Sequence, residues 1–221
     1  MPQPHRYLST DEAASLDRAV ARLEGRTGIQ IVPAVAGRSD AYPEIPWHAF
    51  AAGAAFSALI LVIADRLRPT WVTSQTAVLH ATIVLAAGAV CTLAAAFIPP
   101  IARLFLRAVR ADEEVRQHAE SLFLRRDLAG TRQRTGLLLL VSLFERRIEI
   151  VADRGFDGRV TPAEWQAVIA RMTPHCANRR PFEALRDALA AVDDLLTAKG
   201  FRGSEGMANE LPDAAIEEDG S

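Results

Sequence analysis

Cysteine and lysine are both scarce. The chain has two cysteines, Cys91 and Cys176, and one lysine, Lys199. Two cysteines far apart, one in an apolar block and one in what reads as a later loop, exclude a disulfide framework and the paired spacing of a zinc site. The formal net charge is −2, too small to make nucleic acid an expected partner. EF-hand spacing, P-loop, GxSxG and HExxH are all missing. His118-Ala119-Glu120 lacks the cysteines of a zinc deaminase. The opening MPQPHRYLSTDE carries no charged-then-apolar leader, so no cleavable signal peptide is expected.

Long apolar runs are present. Residues 47–64 and 77–98 contain no Asp, Glu, Lys or Arg. As helices they extend about 27 and 33 Å at ~1.5 Å per residue, against a hydrocarbon core of roughly 30 Å. Both read as membrane spans, joined by a short loop into a hairpin. Ala51, Ala54, Ala55 and Ala58 offer a small-residue face on the first span. Gly88, Cys91, Thr92 and Ala95 offer one on the second, and such faces let helices approach closely in lipid. Arg38, Arg103, Arg107, Arg110 and Arg116 flank the outer ends, and Arg66 and Arg68 lie in the loop. That bias places both termini in the cytoplasm, as a two-span protein of a bacterial inner membrane. His48 and His80 fall near opposite ends of the hairpin, where they read as interfacial anchors rather than a proton relay.

The flanking segments read as α/β. Ser9 with Glu12 forms a capping box; Ala13, Leu16, Val20 and Leu23 follow at helical spacing, and Gly25 is the expected stop. Ile29 to Ala36 reads as a strand, with Pro33 marking an edge or a bulge. After Pro99-Pro100 a helix is expected from about Ala102 toward Leu128, with Val115, Ala119, Leu122 and Phe123 inward. Leu137 to Leu143 is too short to span a bilayer as a helix and apolar on both faces, as a covered central strand is. Residues 147–153 alternate and complete a hairpin through Phe144-Glu145-Arg146. Arg26-Thr27-Gly28 and Arg134-Thr135-Gly136 each precede an apolar strand. The echo points to a common geometry and to two parallel strands in one sheet. Thr161, Pro162 and Glu164 open a further helix with Trp165, Ile169 and Met172 inward. A last helix runs from about Pro181 to Lys199, stopped by Gly200. The expected division is 1–46 and 99–200 as two parts of one α/β domain, a small mixed sheet with flanking helices, 47–98 as the transmembrane hairpin, and 201–221 as a disordered acidic tail.

LSTDEAASLDRAVARLEGRTGIQIVPAV, and HAESLFLRRDLAGTRQRTGLLLLVSLFERRIEIVADRG with the later Trp165, resemble the two halves of the TPM-domain family. The resemblance covers most of residues 7 to 40 and 111 to 200. It implies a membrane-attached α/β sandwich. It also implies either an accessory role in a membrane complex or the weak phosphatase activity and metal binding proposed for some members. The usual layout sets a secretion signal ahead of the domain and places it outside the cytoplasm; this chain instead inserts a hairpin within it.

The candidate site is Asp153-Arg154-Gly155-Phe156-Asp157-Gly158, just past the last strand. Ligands gather outside the carboxyl ends of α/β strands, and two carboxylates beside glycines suit a divalent cation. Asp153 and Asp157 are the metal candidates; the plainer reading of an Asp-x-Gly stretch is a turn. Ser142 reads as mid-strand without a base. No catalytic residue and no organic cofactor are expected. The expected partners are the lipid bilayer and a membrane protein, with no nucleic acid. A non-enzymatic accessory or assembly factor is therefore the first expectation, and a membrane-anchored, metal-assisted hydrolase using Asp153 and Asp157 the second.

Overall fold

Ser9 opens the first helix. Its hydroxyl accepts from the Glu12 N–H at 3.3 Å, while Glu12 Oε2 accepts from the Ser9 N–H at 2.7 Å. Helix α1 then runs from Thr10 to Thr27 with Leu16, Val20 and Leu23 buried. It passes through Gly25 and ends at Gly28, whose φ of 71° sits in the left-handed region that glycine adopts freely. The computed structural model describes residues 7–67, 73–131, 133–203 and 215–218.

The order continues with β1 (Gln30–Ala36), α2 (Glu44–Leu67), α3 (Ser74–Phe97), α4 (Pro99–Leu104), α5 (Ala108–Arg125), β2 (Gly136–Ser142), β3 (Arg147–Ala152), α6 (Pro162–Ala177), α7 (Pro181–Ala198) and β4 (Ile216–Glu218). Two compact units result. One joins Met1–Ala41 to Val109–Ser221; the other is Tyr42–Ala108.

The first unit is built on a mixed sheet of order β3-β2-β1-β4. Strands β1 and β2 are parallel, Gln30 facing Gly136 and Ala36 facing Ser142. Strand β3 is antiparallel to β2, with Leu137 opposite Ala152. Alternation divides the core between the two faces. Ile31, Val35, Leu137, Leu139 and Val141 pack in one cluster with residues of α1, α6 and α7. Val32, Ala34, Leu138 and Leu140 pack in the other with Val115, Ala119, Leu122 and Phe123 of α5. Leu137 to Val141 are fully buried, each side chain contributing about 1.5–3 kcal/mol relative to exposure.

Pro33 lies in an interior strand, yet it costs no ladder bond. Gln30 N–H donates to Thr135 O and Leu143 N–H to Ala36 O, so even-numbered residues of β1 face β2. Odd-numbered residues face the other way, where, among the described residues, β4 pairs with Ala34 to Ala36. Pro33 falls just before that pairing starts. Two residues earlier, the Ile31 N–H is satisfied by Glu24 Oε1 at 2.8 Å.

Several expectations are corrected. The two Arg-Thr-Gly triplets do not share a geometry: Gly28 caps a helix, whereas Gly136 is the first residue of β2 and the positive φ falls on Arg134. In the β1–β2 register they are two positions apart. The helix expected from Ala102 is broken after Leu104 and restarts at Ala108. Cys176 lies in α6, not in a loop, and is buried. The tail from 201 is not uniformly without structure: Ile216–Glu218 is a strand of the sheet, because Ile216 enters the α5-side cluster. The remainder of the expected tail, 204–214 and 219–221, lies outside the described residues.

The second unit is an antiparallel-running helix pair with α4. Helices α2 and α3 are 24 residues each. Thr73 and Thr76 form a capping box that starts α3 three residues before the expected span. Pro99 and Pro100 close it and open α4. The contact face of α3 includes the expected Gly88 and Ala95. On α2 the buried residues are Ile45, Ala49 and Gly53; of the expected alanine face, Ala54 and Ala58 are half-buried while Ala51 and Ala55 are exposed. Added Cβ atoms explain why: one at Gly53 would stand 2.6 Å from Cys91 Sγ, and one at Gly88 would stand 2.7 Å from the Phe50 ring. His80 Nδ1 lies 3.7 Å from Asp65 Oδ2 near the loop, and His48 is exposed in α2. Arg68 of the loop lies outside the described residues.

Candidate functional site

Strand β3 runs against β1 and β2, which places Asp153 at the amino ends of the parallel pair, not at their carboxyl ends as expected. The Asp153 N–H donates to Gly136 O at 3.0 Å. Asp153 caps a 3-10 turn, Arg154–Phe156, its Oδ1 accepting from the Arg154 N–H at 2.8 Å. The residue is buried, and among the described residues its Oδ2 has no hydrogen-bond partner and lies 3.9 Å from Arg134 Nη1. Asp157 ends the same turn and is exposed, its N–H donating to Arg154 O. The two carboxylates thus flank one turn. Among the described residues, no group of three or more His, Cys, Asp and Glu converges to hold a metal.

The glycine of this stretch has a packing role. Gly155 N–H donates to Arg134 O at 2.8 Å, and a Cβ there would stand 2.5 Å from the same oxygen. The segment before β2 and the segment after β3 are therefore pressed together, backbone to backbone.

A second polar cluster lies at the opposite end of the sheet, where β1 and β2 finish. Ser142 is the last residue of β2, and its hydroxyl donates to Glu145 Oε2. Ser39 Oγ donates to Ser142 Oγ at 3.1 Å, and the Ser39 N–H donates to Glu145 Oε1 at 2.9 Å. Both carboxylate oxygens are used, and all three residues are buried. Leu143 and Phe144 N–H donate to Ala36 and Gly37 O, so backbone and side chains together bind the end of β1 to the hairpin turn. Arg38 stacks its guanidinium 4.0 Å over the Phe144 ring. A hydroxyl beside a carboxylate has the parts of an activated nucleophile, but Ser142 is fully buried, and the cluster acts as a lock. Cys176 is sealed nearby, its Sγ 3.9 Å from Ser142 O. Burial pushes its thiol up to about 11, although Arg146 and Arg147 oppose the shift, which leaves it an inert thiol.

Reading Ser142 as mid-strand missed this cluster. The available signal was its spacing to Glu145, three residues apart across a hairpin turn. Ser39, remote in sequence, gave none. A groove of about 280 Å³ between α6 and α7 is lined by Glu164, Val168, Arg171, Ala191 and Asp194 among others; neither Asp153 nor Asp157 lines it.

Residues 101–195 match the family model of the TPM domain. Over these residues the chain is similar to the TPM domain. The match begins in α4 and stops within α7, so α1, β1 and β4, which belong to the same α/β unit, come from outside the matched segment. The NMR structure of the BA42 protein from the psychrophilic bacterium Bizionia argentinensis is similar in fold. Its TM-score is 0.56 at 12% identity, over 98% of this chain and 99% of that one. The search of curated proteins found no match. Within the matched segment, the Arg-Thr-Gly and Ala-Asp-Arg-Gly stretches are the two segments pressed together at Gly155.

Proposed function

We propose that this chain is an integral membrane protein that acts as a non-enzymatic accessory or assembly factor for a membrane complex, presenting its TPM domain to a membrane protein partner. The observation that carries the reading is the exposure of the hairpin. Helices α2 and α3 are long and apolar enough to cross a bilayer, yet only 11% and 6% of their most apolar windows are buried. In water, that surface far exceeds what a soluble monomer leaves uncovered; in lipid it needs no cover. The arginine bias then sets both termini in the cytoplasm of a bacterial inner membrane. The accessory role is supported by the chemistry of the α/β unit, where the Ser142–Glu145 hydroxyl–carboxylate pair is buried.

A second reading, a metal-assisted phosphate hydrolase, rests on the sequestered Asp153 Oδ2, which a divalent cation would satisfy together with Asp157. One pair of experiments separates the two. Full-length protein purified in detergent is assayed for phosphate release from a model ester across several divalent ions, and Asp153→Asn is compared for partners co-purified from native membranes. The accessory reading expects no turnover and unchanged partners. Metal-dependent turnover abolished by Asp153→Asn supports the hydrolase instead. Reporter fusions at Ser221 and in the 68–73 loop check the orientation: an active cytoplasmic reporter in the loop overturns it.

A further inference from the structure

The three-residue strand β4 is held by contacts that read its sequence residue by residue. It runs parallel to β1, Ile216 facing Ala34 and Glu218 facing Ala36, and Gly37 N–H donates to Glu218 O at 2.9 Å. Ala215 N–H donates to Asp17 Oδ1 at 3.1 Å. Ile216 enters the apolar cluster on the α5 side. Glu217 turns to the other face, where its Oε2 accepts from the Tyr7 N–H at 2.8 Å. Glu218 returns to the α5 side. Both of its oxygens accept from Arg125 Nη2 at 3.1 Å, and His118 Nε2 stands 3.0 Å from one of them. Arg125 is oriented for this by its other nitrogen, which donates to Ser121 Oγ at 2.8 Å.

The edge is thus a small recognition surface with an apolar slot, a backbone donor for one carboxylate and a cationic clamp for the next. Adding a strand to an open sheet edge, with main-chain bonds for affinity and alternate side chains for specificity, is a recurring mode of peptide capture. Pro33 bounds the site, since it has no N–H to offer before Ala34. Among the described residues the present occupant pairs three residues where β1 and β2 pair seven, a short ladder.

We propose that the Ala34–Gly37 edge is a docking site for an extended apolar–acidic–acidic segment of a partner polypeptide, and that Ile216–Glu218 occupies it in cis until a partner displaces it. The proposal deepens the accessory reading, on which it rests for the source of the partner. A tethered segment competes at an effective concentration in the millimolar range for a short linker, so an intrinsic affinity of about 0.1 mM makes a free peptide bind roughly tenfold more weakly while the cis segment is in place.

The test uses full-length protein in detergent and a fluorescent peptide copying residues 213–221, followed by anisotropy. The double variant Ile216→Asp with Glu218→Arg empties the edge and is expected to bind the peptide about tenfold more tightly than the unaltered chain. Hydrogen exchange at the Gly37 amide checks the same event on the folded protein, speeding up in the double variant and slowing again with peptide. Adding Arg125→Glu to that variant is expected to abolish capture, and a peptide carrying Glu218→Arg to restore it. Equal binding to the two forms, equal capture of a scrambled peptide, or no charge-swap rescue overturns the proposal. Concentration-dependent pairing of the unaltered chain through an exchanged 215–218 segment would also overturn it, by making a second copy the occupant. Failure here leaves the co-purification result standing, and turnover in the hydrolase assay leaves the peptide result standing.

Discussion

Leu137 to Leu140 and the leucines of α2 and α3 are the same residue type in opposite circumstances. The four in β2 are fully buried, while Leu59, Leu79 and Leu85 are more than half exposed. Backbone bonding explains why each segment adopts its form. A strand leaves its N–H and C=O groups to neighbours and must be covered on both faces when both are apolar. A helix satisfies those groups internally, so it can turn leucine outward wherever the surrounding solvent is as apolar as leucine. Leucine content alone does not distinguish them; the length of the uninterrupted run does.

The largest expected effect sharpens this contrast with one substitution made in each place. Leu139→Ala removes a wholly buried side chain between β1, β3 and the helices on that face, at an expected cost of about 2–5 kcal/mol. Leu59→Ala is expected to leave the stability of the α/β unit within about 0.5 kcal/mol. Denaturant unfolding of detergent-solubilised protein, followed by Trp165 fluorescence, measures both. Equal losses would mean that the exposed leucines are covered by protein after all.

The next effect tests the solvent directly. Leu59→Arg near the middle of α2 is expected to cost about 3 kcal/mol of insertion free energy, read as a loss of the membrane-integrated fraction in a glycosylation or alkaline-extraction assay. Val109→Arg, at an exposed residue outside both spans, is the control and should insert as the unaltered chain does.

How far the sequence carried the fold can be argued from particular residues. Capping boxes at Ser9 and Thr161 were legible because each is a local, four-residue device. The hairpin of β2 and β3 was legible because alternation and length are also local. What escaped needed distant partners. Gly25 and Gly28 are equally good stops on paper; the chain uses Gly28 because the last helical turn still buries Thr27. Strand β4 has only one apolar residue, and nothing in EDG-rich sequence announces that His118, Arg125 and Tyr7 are waiting for it. At the candidate site the sequence places Asp153 and Asp157 close together past the last strand, but it could not tell that β3 would carry them to the amino ends of β1 and β2.

A smaller effect is expected at the Ser39–Ser142–Glu145 lock. Ser142→Ala deletes one hydroxyl and leaves Glu145 Oε2 buried with one partner fewer, an expected loss of about 1–3 kcal/mol. Ser142→Thr keeps the donor. If the lock binds the end of β1 to the hairpin turn, Ser142→Ala should also accelerate hydrogen exchange at Phe144, whose N–H reaches Gly37 O, and Ser142→Thr should not.

The smallest effect lies at the surface of the helical layer over that sheet. Lys199 Nζ stands 2.7 Å from Glu164 Oε1, and the Thr161 N–H donates to Glu164 Oε2. The Lys199 hydrogen bond, followed by those of Thr161, holds the Glu164 carboxylate down to about 2, below its ordinary 4.5. The folded state thus binds this proton later than the unfolded chain does. Whatever stability the pair contributes is complete above about pH 4.5 and fades as the pH falls toward 2. Because Glu164 is open to solvent, the contribution is small and screened by salt. Glu164→Gln should therefore lower the thermal midpoint by a constant, modest amount from neutral pH down to about 5. The gap should narrow below that and close near pH 2. A gap that persists unchanged at pH 2 would show that glutamine is simply a poorer partner for the Thr161 cap.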